Sequence, residues 1–126
     1  MDATKLRELI GRLRDPVAGC PWDREQTLAS MARCIREEAA ELAEALVEGD
    51  AVKIKEESGD LLWNLLFILE LADEQKLFSS ADVCEAIAKK MRRRHPHVYV
   101  GKKAATADEA LAAYAEAKKK EKLDDK

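Results

Sequence analysis

Residues 36–71 read REEAAELAEALVEGDAVKIKEESGDLLWNLLFILEL, two apolar-striped segments meeting at Gly49-Asp50. Leu28, Met31, Ile35, Leu42 and Leu46 recur at helical steps, which predicts a helix over about 24–48. Gly49-Asp50 is a helix stop and turn. A second helix is expected from Val52 to about Glu74, and its LLWNLLFILEL run is apolar on nearly every side. A turn this tight folds two helices into an antiparallel hairpin, with residues equally far from the turn side by side. Glu38 and Glu41 stand three apart on the first helix, and Glu57 and Asp60 three apart on the second, so each pair shares a face. Folding about the turn sets Glu41 opposite Glu57 or Ser58, and Glu38 opposite Asp60 or Leu61.

Outward from the hairpin the pattern stays helical. Leu6, Leu9, Ile10 and Leu13 mark a short first helix, ended by Asp15-Pro16 and the Gly19-Cys20-Pro21 loop. Ser79 with Asp82 opens a helix through Val83, Ile87 and Met91 into RRRH, stopped by Pro96. Thr106 with Glu109 opens a last, charged helix over about 106–121. With 126 residues, 47% hydrophobic and 37% charged, five Gly and three Pro, the composition favours helices over strands. The expectation is an all-α single domain over 1–126, with a helical core over about 5–97. A chain this short can take more of its core from an oligomer.

Composition also excludes. A net charge of −3 from 22 basic and 25 acidic residues gives no basic field for nucleic acid and no cationic face for a membrane. No leader-like segment or spanning run is present, so a cytoplasmic protein is expected. Cys20, Cys34 and Cys84 are odd in number and widely spaced, suggesting neither a disulfide framework nor a zinc knuckle.

Four carboxylates at one level need compensation. Two unit charges about 6 Å apart repel by roughly 3 kcal/mol at an effective dielectric of 20. Protonation, a cation, or salt bridges to Arg36, Lys53 and Lys55 are the ways out. An all-oxygen ligand set without His or Cys suits a hard ion, Mg²⁺ or Mn²⁺, and such ions accept phosphate oxygens. Lys53, one turn before Glu57, is either a phosphate contact or a solvent lysine. Asn64, one turn beyond Asp60, either satisfies a core backbone group or contacts a ligand. Arg92, Arg94 or His95 could clamp a phosphate, or simply complement the helix dipole. His95 and His97 flank Pro96 in chain expected to be extended, which would turn their rings to opposite faces. Trp22 is either a staple between helices or a flat surface for a nucleobase.

The two acidic pairs, together with RLRDPVAGCPWDREQT, REEAAELAEAL, EESGDLL, RRHPHVYV and KKKEK in this order, resemble the MazG family. These are nucleoside triphosphate pyrophosphohydrolases of the all-α NTP pyrophosphatase superfamily. The resemblance covers nearly the whole chain. It implies Mg²⁺-dependent hydrolysis of a (d)NTP to the (d)NMP and pyrophosphate, with water attacking the α-phosphorus and helices of two subunits completing each site. It also implies a hairpin completed to a four-helix-bundle-like core by dimerisation, as homodimer or homotetramer. It implies Glu38, Glu41, Glu57 and Asp60 as metal ligands and catalytic residues, Lys53 and Arg94 as phosphate contacts, and Asn64 and Trp22 near the nucleoside. Two departures stand out: Tyr114 where the family often has Trp, and one such domain where many bacterial members carry two. Competing expectations are a phosphoribosyl-ATP or dCTP pyrophosphohydrolase of the same superfamily, or a non-catalytic helical metal-binding or interaction module.

Overall fold

The computed structural model describes residues 1–101 and 103–124, all helix, turn or irregular chain without a strand. It divides into two compact units, Met1–Ser79 and Ser80–Lys126.

The first unit holds α1 (Ala3–Leu13), α2 (Pro21–Glu25), α3 (Leu28–Glu48) and α4 (Ala51–Glu74). Two caps fix the hairpin. Gly49 ends α3 at φ 76°, a left-handed conformation that costs glycine little, and the Asp50 carboxylate accepts from Val52 and Lys53 N–H to start α4. The expected start of α3 near residue 24 is corrected to Leu28. Thr27 forms a reciprocal capping box with Ser30 there, and the chain before it turns away as the separate helix α2, begun by Pro21.

The core gathers Ile10, Met31, Leu66, Phe67 and Leu71 from α1, α3 and α4. Complete burial of a side chain such as Phe67 or Leu71 stabilises by roughly 1.5–3 kcal/mol. Arg7 pairs with Glu70 at 2.8 Å and Arg14 with Glu74 at 2.6 Å, tying α1 to α4. Arg14 also donates to the carbonyls of Asp23 (2.5 Å) and Gln26 (3.3 Å), so one guanidinium anchors the loop leading into α3. Gly19 is required in that loop: a Cβ would collide with the carbonyls of Leu13 and Asp15.

The apolar stripe of the hairpin is only partly covered. Leu46 is 57% exposed, Leu62 43% and Leu65 48%. Within the single chain Ala45 is the buried residue of that turn, and Leu46 lies on the uncovered part of the stripe.

The second unit holds α5 (Ser80–Arg94), α6 (Pro96–Tyr99) and α7 (Ala107–Asp124). The Thr106 hydroxyl accepts from Glu109 N–H and the Glu109 carboxylate from Ala105 N–H, which caps α7 as the sequence predicts. The extended chain expected at 95–97 is instead the start of a helical turn. Its Pro96 sits at the first helical position, and the rings of His95 and His97 lie 5.4 Å apart rather than on opposite faces. No helix among the described residues is long and apolar enough to cross a membrane.

Candidate functional site

Glu38 and Glu41 lie one turn apart on α3, and Glu57 and Asp60 one turn apart on α4. The hairpin brings all four together, one carboxylate oxygen from each lying within 4.8 Å of the others. The pairing follows the fold about Gly49: Glu41 meets Glu57, and Glu38 feels Asp60. None of the four takes part in an ion pair among the described residues. Lys53 turns to Glu48 (2.9 Å) and Arg33 pairs with Glu37 (2.9 Å). The salt-bridge alternative thus goes unused.

The repulsion appears in the protonation. Burial, the hydrogen bond to Glu41 and the charges of Glu41, Asp60 and Glu38 push Glu57 up to about 7. Burial and the neighbouring Glu41 and Asp60 raise Glu38 as well. One oxygen of Glu38 and one of Glu57 are buried without any hydrogen-bond partner. Buried acceptors left unsatisfied are costly and rare, and a hard cation is the partner an all-carboxylate set fits. The residues present therefore suit a divalent metal ion, and the cluster could hold one.

Beside the cluster, a depression of about 250 Å³ is lined by Glu41, Glu44, Glu48, Lys53, Glu56 and Glu57. Asn64 donates to the Cys34 carbonyl at 3.3 Å and so ties α4 to α3 one turn from the acids. Trp22 is 58% exposed on α2, and its carbonyl accepts from the Gln26 side chain. The three cysteines are free.

Arg94 belongs to the second unit, where it is engaged by α7. It pairs with Glu121 at 3.1 Å, donates to the Tyr114 hydroxyl at 3.1 Å, and lies 5.4 Å from that ring's centre. Arg93 pairs with the same carboxylate at 2.6 Å. A cavity of about 530 Å³ opens beside them, lined also by Lys90, Lys118, Lys122 and Asp124. Lys90, Lys118 and Glu121 escape a reading by sequence spacing because spacing does not set the register between α5 and α7. The single acid inside KKKEK was the available signal.

Residues 26–99 match the MazG nucleotide pyrophosphohydrolase domain, which is more than half of the chain. The chain belongs to the MazG family. It is 40% identical over 118 residues to a nucleoside triphosphate pyrophosphohydrolase of Escherichia coli strain K12, covering 94% of this chain and 45% of that protein. A Thermotoga maritima relative, named nucleoside triphosphate pyrophosphohydrolase/pyrophosphatase MazG, is 40% identical over 95 residues, 75% of this chain and 37% of its own length. This MazG chain thus spans less than half of those curated relatives. Its fold is shared with the crystal structure of a mazG-related protein from Thermotoga maritima, at a TM-score of 0.75 and 26% identity, covering 92% of this chain and 98% of that one.

Proposed function

We infer that this chain is a Mg²⁺-dependent nucleoside triphosphate pyrophosphohydrolase, with Mn²⁺ able to substitute, converting a (d)NTP to the (d)NMP and pyrophosphate. The observation that carries the reading is the meeting of four carboxylates without a cationic partner, two of them with buried, unpartnered oxygens. Membership of the MazG family and the names of its relatives support the same chemistry.

Glu38, Glu41, Glu57 and Asp60 would hold the ion. Bound there, such an ion would supply charge neutralisation and Lewis acidity toward the phosphoryl oxygens. One of the four carboxylates orients the attacking water at the α-phosphorus and takes its proton, so no nucleophilic side chain is needed. Lys53 supplies positive charge for the triphosphate, and Arg94, in the second unit, offers the fork geometry that grips phosphate oxygens in pairs. Asn64 and Trp22 serve the nucleoside side, Asn64 also fixing the spacing of the two acid-bearing helices. The half-exposed Leu46, Leu62 and Leu65 support completion of the hairpin by a second copy of the chain.

The test is incubation with a panel of canonical and damaged NTPs and dNTPs, phosphoribosyl-ATP and dCTP included, with Mg²⁺ and product analysis. Paired release of monophosphate and pyrophosphate is expected. Release of orthophosphate would overturn attack at the α-phosphorus.

A further inference from the structure

Within the second unit, the Glu121 carboxylate is gripped by two arginines. It receives Arg93 Nε at 2.6 Å through one oxygen, and Arg94 Nε (3.3 Å) and Nη2 (3.1 Å) through the other. Arg94 is held from its remaining side by the Tyr114 hydroxyl and ring, so its planar fork is oriented before any ligand arrives. The side chains of Arg94 and Glu121 are 15% and 17% exposed, well shielded from solvent. The same carboxylate borders the 530 Å³ cavity, whose lining carries Lys90, Arg93, Arg94, Lys118 and Lys122 against Glu121 and Asp124. Five cations around two acids leave an excess of positive charge, although the two best-oriented guanidinium groups are already occupied.

The geometry points to Glu121 as an internal stand-in for a polyphosphate, which occupies Arg93 and Arg94 until a ligand with several negative charges displaces it. It deepens the role proposed above for Arg94 and rests on that reading. The physical reason is a balance of contacts. Separating a shielded ion pair without replacement leaves uncompensated charge and is costly, so a singly charged ligand gains little by the exchange. A pyrophosphate group offers more charge and several oxygens to the same fork and to the lysines of the cavity, so it can win. Glu121 therefore acts as a specificity-determining residue that sets the charge a ligand needs.

Calorimetric titration of the full chain with inorganic pyrophosphate, without metal and without turnover, tests this. Glu121→Gln should bind pyrophosphate about tenfold tighter, the scale of one charge-assisted hydrogen bond no longer contested. Asp124→Asn changes net charge equally without touching either arginine and should tighten binding far less. The gain should vanish when Arg94→Ala is combined with Glu121→Gln. With NTP, the Glu121→Gln variant should show a lowered KM rather than a raised kcat. If Glu121→Gln loses helical content, Glu121→Asp, which keeps the charge but shortens the reach, should tighten binding in its place. Unchanged or weaker binding in the folded variant, an equal gain in Asp124→Asn, or a gain that survives Arg94→Ala would each overturn the proposal. Absence of NTP turnover in the parent protein would count against the hydrolase reading and leave this titration interpretable.

Discussion

The molecule holds two charge clusters of opposite design. On the α3–α4 hairpin, four carboxylates converge with no cation among them, and Glu57 is driven up to about 7. Between α5 and α7, one carboxylate is gripped by two arginines, and hydrogen bonds from Arg93 and Arg94 hold Glu121 down at about 2. The second arrangement is satisfied within the chain and stabilises its own fold. The first is left incomplete at a cost in stability, and a residue set that the fold destabilises in order to keep together is one poised to bind.

The comparison breaks most visibly in activity. Glu41→Gln or Asp60→Asn should lower turnover on the order of 10³-fold, the loss of several kcal/mol of charge stabilisation, with far-UV circular dichroism unchanged. Retained activity in either variant would remove the hairpin acids from the chemistry.

In metal-free protein the two clusters should respond to neutralisation with opposite signs. Glu57→Gln should raise the thermal midpoint at pH 8 by a few degrees by relieving repulsion, and Glu121→Gln should lower it by a similar amount. The pH dependence follows the same division. Glu57 binds its proton more tightly folded than unfolded, so its contribution is present below about 4.5 and lost as pH rises through about 7. Glu121 is the reverse: its contribution is present above about 4.5 and lost as pH falls toward 2. Thermal melts across this range should show the loss near neutrality suppressed by Mg²⁺ and the acid loss unaffected by it.

Lys76, outside both clusters, sets the scale of an ordinary structural gain. It closes α4 at φ 58°, with Leu77 N–H returning to the Ala72 carbonyl. Lys76→Gly should stabilise by about 0.5–1 kcal/mol, measured by urea unfolding, because glycine enters the left-handed region without Cβ strain.

The legibility of the sequence follows the same division. The hairpin could be read because its turn is tight and local: Gly49-Asp50 fixes the register, and register alone pairs Glu41 with Glu57. Three-residue spacing on each helix supplied the rest. Separation of α2 from α3 was hidden because Thr27 and Ser30 cap by side-chain hydrogen bonds that apolar periodicity does not report. The occupation of Arg94 by Glu121 was hidden too, since it joins residues 27 positions apart on helices whose mutual register sequence spacing does not set. Asn64 is ambiguous in the sequence for a simpler reason: an amide inside an apolar run can face backbone or ligand, and spacing does not reveal its bond to the Cys34 carbonyl.

Anomalous diffraction from crystals grown with Mn²⁺ tests the central assignment most directly. The account predicts a peak bonded to oxygens of Glu38, Glu41, Glu57 and Asp60 at about 2.0–2.2 Å, distances typical of a small hard divalent ion. A peak elsewhere, or none while those four side chains lie splayed into solvent, would contradict it.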